Sequence, residues 1–255
     1  MPNRLVLEIC VESVDHAVAA ERGGAHRIEL CTDLWSGGIS PSVDLMRTAR
    51  RRVRIPIHVL IRPRAGNFCY SDDELEIMRN DIRAAKQFGM DGVVLGVLQE
   101  NARVDIERTQ ALVKLAHPLP VTFHRAFDAL PNLDMSLEEV IETGASRILT
   151  SAGKPRATDG LSTLAWLIQA AKGRILIMPC GGINSDNVMH IVRTTLAQEV
   201  HSSAGTSNPN SNGNGGEVSQ GDDEGSSSLQ SGLFEKKVAK LVSLLRDVSQ
   251  DERVR

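Results

Sequence analysis

Aromatic side chains are scarce in this sequence: five Phe, two Trp and one Tyr among 255 residues. That is too few for the stacked platform on which proteins hold unpaired bases. An excess of basic residues is missing too, since 29 Lys and Arg stand against 32 Asp and Glu. A protein that tracks a phosphate backbone shows the opposite balance, so no nucleic-acid partner is expected. No apolar run approaches the roughly 18 residues of a membrane span, and no charged, apolar, small-residue order marks an export signal. The four cysteines include no C-x-x-C pair. They read as thiols of a reducing compartment rather than as a disulfide framework. The expectation is a soluble cytoplasmic protein, with 41% apolar residues to build a large core.

One stretch stands apart in composition. Between Ala204 and Gly232, 18 of 29 residues are Gly, Ser or Asn. Such a segment buries too little apolar surface to offset its ordering, which predicts a disordered surface loop that also carries Asp222, Asp223 and Glu224. Beyond it Phe234, Val238, Leu241, Leu245 and Val248 recur at three- and four-residue spacing, predicting a last helix over 233–252. The loop is therefore expected as an insertion within one domain that spans 1–255.

Ahead of the insertion, over 5–203, a strand-then-helix pattern repeats. Apolar runs fall at Leu5–Val11, Arg27–Cys31, Ile57–Ile61, Val93–Leu98, Val121–Phe127, Ser146–Ser151, Arg174–Met178 and Gln198–Ser202. Helical patterns separate them, the first opened by Ser13 and the second from near Pro41. Strands this apolar, alternating with helices, mean a parallel sheet covered by helices. Eight such units, closed by a helix, predict an α/β fold of the (β/α)8 TIM type, in which function collects at the carboxyl ends of the strands.

Those ends are unusually polar. Strands one and two end Glu8-Ile9-Cys10 and Glu29-Leu30-Cys31, the same E-x-C pattern twice. By period two, each Glu shares a face with its Cys, about 7 Å below it, and strands about 4.8 Å apart let the thiols meet near the mouth. A pair of thiols is a soft donor set suited to Cu(I) or Zn, although a free cysteine also fills space well. Arg62, Arg125, His124 and His201 stand at other strand ends. Two readings stay open for this set. Glu8 and Glu29 facing Arg62 or Arg125 would neutralise each other. Alternatively, the carboxylates and histidines would do acid–base work in an enzyme whose arginines clamp a small anionic substrate. Gly181 and Gly182 after strand seven, with Asn184 as a helix cap, resemble a phosphate-cradling loop, which a tight strand-to-helix turn would explain almost as well; Ser151 at the end of strand six is a further candidate for binding a ligand there. The loop 66–71, with Cys69 and Tyr70, is a candidate lid. The basic run Arg47–Arg54 is expected to close the second helix, where cations favour the dipole, with a nuclear-targeting signal as the other reading.

Several strings resemble the CutC family, named for copper homeostasis. They are Arg27-Ile-Glu-Leu-Cys31, Ile61-Arg-Pro-Arg64, Tyr70-Ser-Asp72, Thr122-Phe-His-Arg-Ala-Phe-Asp128, Leu149-Thr-Ser151 and Met178-Pro-Cys-Gly-Gly-Ile183. The resemblance implies a TIM-type barrel in the cytoplasm or also the nucleus, assembly into a homo-oligomer, and Cu(I) binding at Cys10 and Cys31. Two positions depart from the family pattern: Cys180 stands where a third glycine is usual, and Gly205 where arginine is.

Overall fold

Each strand alternates between two environments, and that alternation explains its residues. The structure, a computed structural model, describes residues 5–205 and 223–251. The strands are β1 (Val6–Val11), β2 (Arg27–Leu30), β3 (Ile57–Leu60), β4 (Gly92–Leu95), β5 (Val121–Phe123), β6 (Arg147–Thr150), β7 (Leu176–Pro179) and β8 (Glu199–Ser202). They pair in parallel in the order β7-β6-β5-β4-β3-β2-β1-β8, and the two ends of that order lie against each other. The result is the expected (β/α)8 barrel. Its helices are α1 (Val14–Arg22), α2 (Val43–Arg52), α3 (Asp72–Gln87), α4 (Ile106–Ala116), α5 (Leu133–Glu142), α6 (Leu161–Ala171), α7 (Val188–Thr195) and α8 (Asp223–Asp251).

Outward residues such as Leu7, Ile9, Ile28, Leu30, Ile57 and Val59 are fully buried in one apolar cluster with the helices. Inward positions carry the polar side chains: Glu8, Arg27, Glu29, His58, Arg147 and Glu199 are all buried. The register sets their company. Glu8 lies opposite Arg27 on one side and opposite His201 on the other, while Cys10 lies opposite Glu29.

Gly92 in β4 and Gly96 just after it leave space in the interior, and their neighbours use it. A Cβ on Gly92 would stand 2.5 Å from the His58 ring, and one on Gly96 would stand 2.7 Å from Nδ1 of His124. The His124 ring and the Ala126 methyl leave no room, so Gly96→Ala is expected to cost about 1–3 kcal/mol by overpacking. Urea denaturation checks this, and a cost below a few tenths of a kcal/mol would show that His124 moves freely.

Differences from expectation have local causes. Strand five ends at Phe123 rather than Phe127, because His124 caps a 3-10 turn over Arg125–Ala129 through the Ala126 N–H. Arg125 therefore sits on a turn, not a strand. α8 begins at Asp223, so residues 223–232, expected in the disordered loop, are helical. Once Phe234, Val238, Leu241 and Leu245 are packed, extending a helix costs only about 1 kcal/mol even per glycine. The rest of the insertion, 206–222, lies outside the described residues. As expected, α2 ends on Arg50, Arg51 and Arg52, where cations favour the helix dipole.

Candidate functional site

The barrel interior has two storeys. The lower one is an ion network. Arg27 lies between two carboxylates, donating from Nε to Glu8 and from Nη2 to Glu199 at 2.6 Å. Arg147 grips Glu199 with two donors, at 2.6 and 3.1 Å, and donates to the Thr122 hydroxyl at 3.1 Å. Two cations balance two anions. Burial alone would push the Glu8 carboxyl up, but Arg27 and the histidines His201 and His58 outweigh it and hold it well below 4.5. Glu8 thus stays ionised beneath the mouth and does not line the cavity above.

That cavity, about 510 Å³, opens at the carboxyl ends of the strands and is lined by Cys10, Glu29, Cys31, Arg62, His124, Arg125 and His201, among others. The structure therefore brings together every sequence-derived candidate except Glu8 and Ser151. Neither Glu8 nor Glu29 pairs with Arg62 or Arg125, contrary to one expectation. The arginines follow their strands into the mouth and are held by loops instead. Arg125 donates to Asp128 at 2.8 Å and to the Ser151 hydroxyl at 2.8 Å. Asp128 also accepts from the backbone of Ser151 and Gly153 and thereby shapes the loop after β6.

The thiols meet. Sγ of Cys10 and Sγ of Cys31 are 3.4 Å apart, both residues buried. Cys31 has the Val11 carbonyl 3.7 Å away as its own acceptor, which leaves its sulfur to receive the Cys10 proton. That bond, then burial and then Glu29 raise the Cys10 thiol well above 9.0. Beside the pair, Cys10, Glu29 and His201 offer ligand atoms all within 4.8 Å of one another. His201 is oriented from below, its Nδ1 2.7 Å from Oε1 of Glu8. Donation to that carboxylate turns Nε2, 3.6 Å from Glu29, toward the cavity. Burial opposes the imidazolium, but Glu29 and Glu8 outweigh it and raise His201 above 6.5. Glu29 is raised from 4.5 by burial and by Glu8, with His201 opposing.

Gly181 and Gly182 line the cavity, both with positive φ, at 92° and 68°. The Gly181 carbonyl accepts from Ala157, and the Gly182 carbonyl from the side chain of Asn187 at 2.8 Å. Asn187, not Asn184, is the residue that precedes α7. From the loop 66–71, Phe68 reaches the cavity wall and Tyr70 is buried. Residue-type reasoning missed Arg27, Arg147, Glu199 and Asp128. The signal for two of them was present, since Arg27-x-Glu29-x-Cys31 and Glu199-x-His201 are period-two strings on inward faces.

A parallel (β/α)8 barrel with its polar cavity at the carboxyl end of the strands defines the class. Comparison with known proteins narrows it. The CutC family model matches residues 5–206, and the chain belongs to that family. It is 48% identical over 205 residues to the copper homeostasis protein cutC homolog of Mus musculus, covering 80% of this chain and 75% of that one. Identity to the Homo sapiens homolog of the same name is 47% over 202 residues, covering 79% and 74%. A solved CutC structure from Streptococcus agalactiae aligns with TM-score 0.74 at 32% identity, covering 78% of this chain and 98% of that one.

Proposed function

We propose that the protein acts in copper homeostasis by binding Cu(I) as cargo between Cys10 and Cys31, in a thiol-reducing cytoplasm. The observation that carries this reading is the 3.4 Å approach of two buried thiols at the floor of an open cavity. Thiolate is the soft donor that selects Cu(I) over hard metals, and imidazole also suits copper. His201 supplies the imidazole, and Glu8 behind it is the kind of carboxylate that orients a ligating histidine. Cys10 and Cys31 would hold the ion through their sulfurs, with His201 as a further donor beside Cys10.

An anaerobic Cu(I) titration against a competing chelator tests this, with wild type and Cys10→Ser/Cys31→Ser side by side. The double variant is expected to keep the far-UV spectrum of the barrel. Its Cu(I) affinity should fall by more than the roughly 10–100-fold that losing an outer partner of a ligand costs. An affinity unchanged in the double variant would sink the reading and leave the cysteines as packing.

A further inference from the structure

One wall of the cavity has no part in the thiol chemistry. Arg62 lines it from the end of β3 with its side chain buried, and among the described residues no carboxylate lies within 4 Å of it. Its Nη1 donates to the carbonyls of Gly38 at 2.9 Å and Ser36 at 3.4 Å, and its Nη2 to that of Gly66 at 2.9 Å. Its Nε has no partner among the described residues. Carbonyl dipoles solvate a guanidinium but do not neutralise it, and a buried cation normally comes with an anion.

His124 shares the same aromatic neighbour. The Arg62 guanidinium carbon stands 4.9 Å from the centre of the Phe68 ring, and the His124 ring centre also stands 4.9 Å from it. Nδ1 of His124 accepts from the Ala126 N–H at 3.2 Å, so the ring proton is on Nε2. Nε2 is buried without a partner. Burial and the Arg62 charge keep this imidazole neutral, at about 3. The wall thus offers a positive charge with no carboxylate beside it among the described residues, and two N–H donors, Nε of Arg62 and Nε2 of His124, without partners there. Arg125, the other arginine of the mouth, is already matched by Asp128. The cavity, about 510 Å³ in volume, has the size of a site for a small organic molecule, far larger than a lone ion needs.

We propose that Arg62 and His124 form a subsite for the oxyanion head, carboxylate or phosphate, of a small organic ligand that shares the cavity with the thiol pair. The subsite stands independently of copper, because none of its groups belongs to the thiol cluster.

The test uses the metal-free, reduced full chain, titrated with succinate or inorganic phosphate at matched chloride. The nitrogen resonances of the His124 ring and the melting temperature are followed together. Saturable binding that moves the Nε2 resonance is expected, weakened about tenfold or more in Arg62→Gln through loss of a charge-assisted bond. Because Arg62 also ties loops together, His124→Phe serves as a second variant: it keeps a ring above Gly96 and removes the donor. Binding of phosphate alone would identify a phosphorylated ligand, and of succinate alone a carboxylated one. No saturable binding of either probe up to about 10 mM would overturn the proposal. Binding unchanged in both variants would overturn it as well, placing the ion elsewhere, as on the basic end of α2. The Cys10→Ser/Cys31→Ser protein should bind the probes like wild type, which separates this result from the copper test.

Discussion

Replacing Arg27 with methionine should destabilise the protein by about 3–5 kcal/mol, the cost of breaking a buried ion network by removing one member. Arg27 is the only cation that touches both Glu8 and Glu199 among the described residues. Without it Glu8 keeps only histidine partners, and Glu199 keeps only Arg147. Methionine of similar length fills the space but leaves an uncompensated carboxylate in the barrel. Urea denaturation at pH 7 should show a large fall in midpoint with little change in slope. Adding Glu8→Gln to Arg27→Met should return part of the loss, because the neutral amide removes the stranded charge. A cost under 1 kcal/mol for Arg27→Met would mean that water reaches the lower storey and screens it.

Acidification should be the second large effect. His58 is held at about 4 and His124 at about 3, each depressed from 6.5 chiefly by burial. Their folded forms resist protonation that the unfolded chain accepts readily. The stability they represent is present above pH 6.5 and is lost as the pH falls from there toward 4, because the unfolded state binds more protons throughout that window. Each histidine contributes about 1.4 kcal/mol per pH unit. Both act together, so their joint contribution should fall by about 2–3 kcal/mol between pH 6 and pH 5. Glu29, raised in the folded state, works against this trend, since its folded form takes up a proton before its unfolded form does. His201 has the opposite sign to His58. Its pKa is raised, so its contribution is complete below 6.5 and lost as pH rises through its folded value. Urea midpoints at pH 7, 6 and 5 check the slope, and His124→Phe should flatten it by about half. A flat profile over that range would show that the two rings are not buried neutral.

Much of this was readable from the chain. Eight apolar runs separated by helical patterns fixed the barrel, because each parallel strand is buried on its outer face against helices. The doubled E-x-C string put two thiols on inward faces of adjacent strands, and they do meet. What the string could not give was register. Cys10 faces Glu29 across the ladder, and the thiols meet on the diagonal. Partnerships among charges were harder still. Arg62 and Arg125 are the arginines nearest the mouth in sequence logic, yet loops supply their partners. The residue that neutralises Glu8 is Arg27, reached only through strand stagger. A strand boundary drawn on hydrophobicity also ran past His124, since an apolar Ala-Phe pair inside a 3-10 turn reads like strand.

The pairing of α8 with α1 sets an order of events in time. Gly23, at the end of α1, has no side chain where Val238 of α8 stands, and a Cβ there would come within 2.7 Å. The helix that fits this notch follows every strand of the barrel in the chain, and more than two hundred residues separate Gly23 from Val238. A growing chain therefore presents the first helix long before its cover exists. Contacts this distant in sequence form late and slowly. For that interval the α1 face is open to chaperones and to wrong partners.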